Sequence, residues 1–144
     1  ISMLEIEITE ETPFDQRGMN DSLGALSNAG VSIALDDFGT GFATFASLKK
    51  GLITKIKIDK VFVRGIADSE GDQHIVRAMV ELGDALGIKV TAEGIETEED
   101  RDTLCKLGCN SGQGFLFAPA LPMSMALDAL ARSSAGSRLE QAVR

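Results

Sequence analysis

Short apolar segments rich in strand-forming residues alternate along this chain with longer segments of helical periodicity. Predicted strands cover residues 4–8, 31–36, 55–58 and 89–92 with a short one at 114–117, and predicted helices cover residues 15–28, 43–49, 72–86, 98–107 and 123–132. Strands that alternate with helices in this way form βα units, whose strands lie parallel in one sheet. The pattern therefore predicts an α/β fold.

Each predicted strand has apolar side chains on one face and polar side chains on the other. Glu5 and Glu7 oppose the apolar residues of the first strand, and Lys55 and Lys57 oppose those of the third. A doubly wound sheet is buried on both faces and would show continuous apolar runs instead. The parity favours a (β/α) barrel of the TIM type, with a polar interior in which glutamates of one strand face lysines of another.

Polar residues end the predicted strands in phase, about one βα unit apart. They are Glu7, Asp36 with Asp37, Lys57, Glu93 and Gln113. Because parallel strands bring their carboxyl ends to one rim, four carboxylates, a lysine and an amide should converge there. Oxygen ligands of this kind suit Mg²⁺, Mn²⁺ or Ca²⁺. A plainer alternative is that Asp36 and Asp37 only cap the turn that follows them.

The composition argues against several other classes of function. A net charge of −8 argues against a DNA or RNA polymer or an anionic membrane surface as the partner. His74 is the single histidine and is interpreted as a surface residue of a helix, which argues against a Ser-His-Asp triad and leaves too few ligands for zinc. Cys105 and Cys109 are interpreted as helix or core thiols of a reducing compartment. These features predict a cytoplasmic domain, whose parent protein can still carry a membrane anchor outside this segment.

Five stretches occur in series between about residues 3 and 125: LEIEITE, IALDDFGTGFATFASLKK, KIKIDKVFV, TAEGIET and GCNSGQGFLFAPALP. In order and spacing they resemble the C-terminal part of the EAL domain, a bacterial phosphodiesterase family that opens cyclic di-GMP to linear pGpG. The resemblance implies a TIM-type barrel, of which this chain would hold only the C-terminal five or so βα units. It also implies two bound cations, either Mg²⁺ or Mn²⁺.

The resemblance implies roles for the residues at the rim. Glu7, Asp36, Asp37 and Glu93 would bind metal, with Asp37 on the second ion. Asp36, Lys57 and Glu93 would be the catalytic residues. Lys57 in particular would help to deprotonate the attacking water or would stabilise the charge on phosphate.

The resemblance also assigns residues around this cluster. Glu96 and Gln113 would act in the outer part of the site, on bound water or on substrate. Glu10 would anchor the loop that follows Asp37, which in the family couples metal binding to dimerisation. A homodimer formed through this loop is therefore implied, together with sensory or cyclase domains in the parent chain.

Some of the family's ligands precede the part that this chain matches. These are the glutamate of the Glu-Ala-Leu stretch and a metal-binding asparagine. We expect residues 1–132 to be the C-terminal part of the domain and residues 133–144 to be a polar tail or linker, and we expect weak or no turnover from the isolated chain. Two alternatives stay open, a catalytically inactive receptor for cyclic di-GMP and a barrel fragment with a structural or assembly role.

Overall fold

The computed structural model describes residues 4–9, 17–41, 48, 51–119, 122, 123 and 125. Its strands are β1 (Glu5–Thr9), β2 (Ser32–Phe38), β3 (Lys55–Ile58), β4 (Lys89–Glu93) and β5 (Gly112–Gln113). Its helices are α1 (Arg17–Asn28), α2 (Lys60–Val63), α3 (Glu70–Leu86) and α4 (Glu98–Lys106), with a 3-10 turn at Ile66–Asp68. The strands pair in parallel and in chain order. The predicted α/β parallel sheet is confirmed, as part of a barrel.

The predicted boundaries hold to within two residues except at the last strand. That prediction is wrong, because β5 ends at Gln113 and residues 115–117 form a turn. The turn forms because the Leu116 N–H donates to the Ile95 carbonyl oxygen (3.0 Å) and the Phe117 N–H donates to that of Gly114 (3.1 Å). The predicted helices over 43–49 and 123–132 and the tail over 133–144 lie outside the described residues, but for positions 48, 123 and 125.

The apolar core lies on the face of the sheet that the helices cover. Ile33 and Leu35 of β2 and Ile56 and Ile58 of β3 are fully buried, together with Val76 of α3. Full burial of one such side chain contributes about 1.5–3 kcal/mol to folding. Because these residues alternate along their strands with polar ones, the core fixes the polar side chains on the opposite face of the sheet.

The ends of the long helices are capped by side chains and by glycine. The Ser69 side chain accepts a hydrogen bond from the Asp72 N–H at the start of α3, and Gly87 ends that helix in the left-handed conformation. The predicted cap of α4 is also found, because Thr97 Oγ1 accepts from the Asp100 N–H at 3.1 Å. Within the described ranges, no helix is long and apolar enough to cross a membrane.

Candidate metal centre

The two adjacent aspartates lie at an irregularity in the pairing of β2 with β3. The register shifts between Leu35 and Phe38, so that Asp36 and Asp37 together lie opposite the single residue Lys57. Asp37 has a φ of +54° and is the one described non-glycine residue with a positive φ, a conformation that aspartate tolerates better than most residues. In a regular strand two consecutive side chains point to opposite faces. The bulge therefore lets both carboxylates reach the same rim.

Carboxylate oxygens of Asp36, Asp37 and Glu93 lie within 4.8 Å of one another. All three residues are partly buried. The Oδ1 of Asp36 is buried and accepts no well-aligned hydrogen bond, although Lys57 Nζ is 3.0 Å away. A buried oxygen with unused acceptor capacity beside two further carboxylates fits a hard cation. These three residues can therefore hold a divalent metal ion.

Lys57 lies on the polar face of the sheet, where its ammonium group contacts three carboxylates. Its Nζ lies 2.7 Å from Glu7 Oε1, 2.7 Å from Glu93 Oε1 and 3.0 Å from Asp36 Oδ1. Burial alone would lower the pKa of Lys57, but these three carboxylates raise it above its ordinary value. The ammonium is therefore retained throughout the neutral range. Glu7, the fourth expected metal ligand, forms an ion pair with Lys57 and is not part of the group formed by Asp36, Asp37 and Glu93.

A second ion pair lies next to the first along the same strands. Lys55 Nζ is 2.5 Å from Glu5 Oε2, and both side chains are about a quarter to a third exposed (26% and 30%). The two pairs join β1 to β3, which flank β2 on either side. The expectation that glutamates of one strand face lysines of another is therefore confirmed.

Asp59, to which sequence analysis assigned no role, lies beside Asp37 at the edge of the cluster. The Asp59 carboxylate favours the protonated form of the Asp37 side chain, which can donate a hydrogen bond to it, and so raises the pKa of Asp37; burial and the negative charge of Asp36 raise it further. The Oδ1 of Asp59 also accepts from the Val61 N–H at 2.7 Å and so caps α2. The available signal was its position two residues after Lys57, which puts both on the same face of the chain.

The rim loops after β4 and β5 are held together around Ile95. The Ile95 N–H donates to the Gln113 carbonyl oxygen (3.1 Å), and its own carbonyl accepts from Leu116 (3.0 Å). A Cβ on Gly114 would come within 2.1 Å of the Ile95 oxygen, so this close approach requires glycine. The Gln113 side-chain amide donates to Glu93 Oε1 at 2.6 Å. The structure thus brings Gln113 to the cluster, as the sequence predicted.

Glu96, the other expected outer residue, forms an ion pair with Arg64, which sequence reasoning did not single out. Arg64 follows α2, outside any strand, so neither parity nor strand spacing points to it. Glu10, the expected loop anchor, lies outside the described residues. The site residues that the structure describes therefore form an inner group around Lys57 and an outer ion pair beside it.

Comparison with known proteins gives a consistent set of relatives. A model of the EAL domain matches residues 2–120. The chain is 41% identical over 131 residues, 90% of its length, to the bifunctional diguanylate cyclase/cyclic di-GMP phosphodiesterase MucR of Pseudomonas aeruginosa. It spans only 19% of that relative.

Solved structures agree with this similarity. The EAL domain of Mycobacterium smegmatis DcpA superposes with a TM-score of 0.83 at 39% identity, covering 89% of this chain and 58% of that one. Klebsiella pneumoniae BlrP1, solved with manganese and cyclic di-GMP, gives a TM-score of 0.74 at 40% identity and covers 82% of this chain and 30% of that one. BlrP1 was also solved with calcium and cyclic di-GMP. Cyclic di-GMP and a divalent cation are thus bound together in a structural relative.

Proposed function

Because this chain belongs to the EAL domain family, we propose that it supplies most of the catalytic rim of a metal-dependent phosphodiesterase that hydrolyses cyclic di-GMP to linear pGpG. The observation that carries the proposal is the grouping of Asp36, Asp37 and Glu93, two of which, Asp36 and Glu93, also contact Lys57. Relatives that are named as cyclic di-GMP phosphodiesterases support the choice of substrate. The chain spans less than two thirds of the relatives described above, so the proposal concerns the protein that contains it.

We assign the residues as follows. Asp36, Asp37 and Glu93 hold two cations, Mg²⁺ or Mn²⁺, with Glu7 as a further ligand and Asp37 on the second ion. Divalent cations, when bound, supply hydroxide at neutral pH and offset the charge of the phosphodiester. Lys57 stays protonated because of its carboxylate neighbours. This supports the role of stabilising charge on phosphate over that of a base.

The chemical step is an in-line displacement at one phosphorus. Asp36 or Glu93 accepts a proton from the attacking water, whose oxygen forms the new bond to phosphorus. The bond from phosphorus to the 3′ oxygen breaks, and the released oxygen takes up a proton to give the linear dinucleotide. Gln113 orients Glu93, with which it shares a hydrogen bond, and Glu96 acts farther out, on bound water or on substrate.

Assembly and domain limits complete the proposal. Residues 1–132 belong to the phosphodiesterase domain, with residues 133–144 as a tail or linker. The loop after Asp37, anchored by Glu10, forms the contact of a homodimer, and sensory or cyclase domains occupy other parts of the parent chain. Cys105 and Cys109 are free thiols, which supports a reducing, cytoplasmic location.

A second candidate is a receptor that binds cyclic di-GMP and does not cleave it. The position of Glu7 favours a receptor, because this carboxylate pairs with Lys57 and does not belong to the group of carboxylates that can hold a cation. A site that holds cations through fewer ligands can bind the dinucleotide without activating water. The third alternative, a purely structural fragment, does not explain why three carboxylates gather around a buried lysine.

Hydrolysis of cyclic di-GMP tests both candidates. We would compare this chain with a version extended upstream by about 100 residues, since a whole barrel needs about 250, each with Mg²⁺ or Mn²⁺. The proposal predicts turnover by the extended protein, weak or no turnover by the isolated chain, and loss of most of kcat in Asp36→Asn. Binding without cleavage by the extended protein would identify a receptor, and absence of binding would refute both.

A further inference from the structure

Arg64 brings a half-exposed positive charge to the rim of the sheet. Its guanidinium pairs with Glu96, and the two side chains are 51% and 41% exposed. A Cβ built on Gly94, the residue after Glu93, would lie 3.8 Å from Arg64 Nε. The guanidinium therefore lies alongside the loop that continues directly from the cation cluster.

The backbone directly after Arg64 is held by hydrogen bonds to a buried carboxylate. Asp100 is 4% exposed and accepts hydrogen bonds from the N–H groups of Gly65 (3.4 Å) and Ala67 (3.2 Å) and from the Thr97 hydroxyl (2.8 Å). Gly65 itself has a left-handed φ of +72°. Asp100 thus ties the segment after α2 to the first turn of α4, close to Glu96.

The two positive groups beside the cluster differ in what they can still bind. Lys57 has a side chain that is 6% exposed, and three carboxylates surround its ammonium group. Arg64 is exposed to solvent, and one carboxylate cannot engage all five N–H donors of a guanidinium. Planar guanidinium groups also suit phosphate oxygens, which they contact through paired hydrogen bonds. Arg64 is therefore the better placed of the two to meet an anion that arrives from solution.

We propose that Arg64 is a ligand-binding residue that contacts a phosphodiester oxygen of the ligand, and that Asp100 is a positioning residue that holds Arg64 there. The inference rests on the proposed function, since it takes cyclic di-GMP as the ligand. In the ligand-free site, the Glu96 carboxylate pairs with some of the N–H donors of the Arg64 guanidinium. A phosphate oxygen of the ligand binds the remaining donors or replaces the Glu96 carboxylate. Arg64 thereby supplies a positive contact that is independent of the bound cations.

Equilibrium binding of cyclic di-GMP to the extended protein in Ca²⁺ tests the role of Arg64. Loss of a charge-assisted hydrogen bond predicts that Arg64→Ala raises Kd about 10- to 100-fold, and that Arg64→Lys restores part of the loss. Arg77→Ala removes the same charge from an exposed position of α3 and should leave Kd unchanged. Titration with Mn²⁺ alone should give the same affinity in all four proteins. Arg64→Ala binding like wild type would overturn the inference, whereas a wild-type protein that does not bind would refute the proposed function itself.

The unpaired charge of Glu96 could weaken binding in Arg64→Ala without any contact to phosphate. The double variant Arg64→Ala/Glu96→Gln separates these causes, because it removes both charges. If Arg64 contacts the ligand, the double variant binds more weakly than Glu96→Gln alone, the reference that contains any effect of Glu96 on the substrate. An affinity equal to that of Glu96→Gln would show that Arg64 only neutralises Glu96, and would overturn the inference.

The positioning role of Asp100 is tested by non-additivity. Asp100→Asn keeps one acceptor oxygen and should raise Kd by less than Arg64→Ala, with unchanged Mn²⁺ affinity. Adding Asp100→Asn to Arg64→Ala should cost no further affinity, because the residue that it positions is gone. Additive effects of the two changes would contradict the positioning role, and the thermal midpoint of each variant verifies that it is folded.

Discussion

Replacing Lys57 with methionine removes the one positively charged side chain that the described carboxylates of the inner group share. The side chain is 6% exposed and lies 2.7–3.0 Å from Glu7, Asp36 and Glu93. Methionine keeps a similar length but leaves three carboxylates close together with no positive partner. Breaking a buried pair of this kind costs about 3–5 kcal/mol. At roughly 3 °C for each kcal/mol in a domain of this size, the thermal midpoint in EDTA should fall by about 9–15 °C.

Thermal and urea unfolding in EDTA, repeated with Mn²⁺, measure this effect. Because Lys57 repels a cation from its carboxylates, Lys57→Met should gain more stability from Mn²⁺ than wild type gains. Lys55→Met is the matched control on the same face of the same strand, and its pair with Glu5 is partly exposed, so it should cost about 1 kcal/mol or less. A loss in Lys57→Met no larger than the control would refute the electrostatic account. A large loss that Mn²⁺ does not relieve would show that Lys57 acts through packing.

Three further changes test other parts of the structure. Asp37→Asn removes a negatively charged oxygen from the cluster and should weaken Mn²⁺ binding measured by titration calorimetry. Because asparagine also tolerates positive φ, the unfolding free energy in EDTA should change little. A large loss of stability would assign Asp37 a structural role. Gly114→Ala should destabilise the fold by about 1–3 kcal/mol in urea unfolding, because its Cβ would meet the backbone of Ile95; wild-type stability would contradict this close approach. Burial raises the pKa of the Cys109 thiol above its ordinary value of 9.0. As the pH rises past 9.0, the thiol therefore ionises in the unfolded state before it ionises in the folded state. The unfolding free energy of wild type should then fall relative to that of Cys109→Ala. Parallel stability curves from pH 8 to 10 would show that burial of the thiol does not perturb it.

Strand parity is the part of the site that the sequence could predict, because it depends on local geometry alone. Alternation along LEIEI and KIKID puts Glu7 and Lys57 on one face, and the structure pairs them at 2.7 Å. The cap of α4 is equally local, because Thr97 and Asp100 lie three residues apart. Both features follow from residue spacing within one element or from the common direction of parallel strands.

The bulge at Asp36 and Asp37 could not be predicted in the same way. Strict alternation puts these two side chains on opposite faces of β2, so parity argues against the grouping that the structure contains. The extra residue is visible only in the register between β2 and β3. The last strand was misplaced for a related reason. The apolar run GFLF resembles a strand, but the hydrogen bond from Leu116 to Ile95, 21 residues earlier in the chain, bends it into a turn.

The charge of the inner group sets how many cations it needs. The described carboxylates in contact there belong to five residues, namely Glu7, Asp36, Asp37, Asp59 and Glu93. Lys57 offsets one of their charges, which leaves four if all five ionise. Two divalent cations would balance the remaining four charges. Cyclic di-GMP, the substrate proposed above, carries one negative charge on each of its two phosphodiesters and would approach this rim only after such neutralisation, which argues for two bound ions ahead of one.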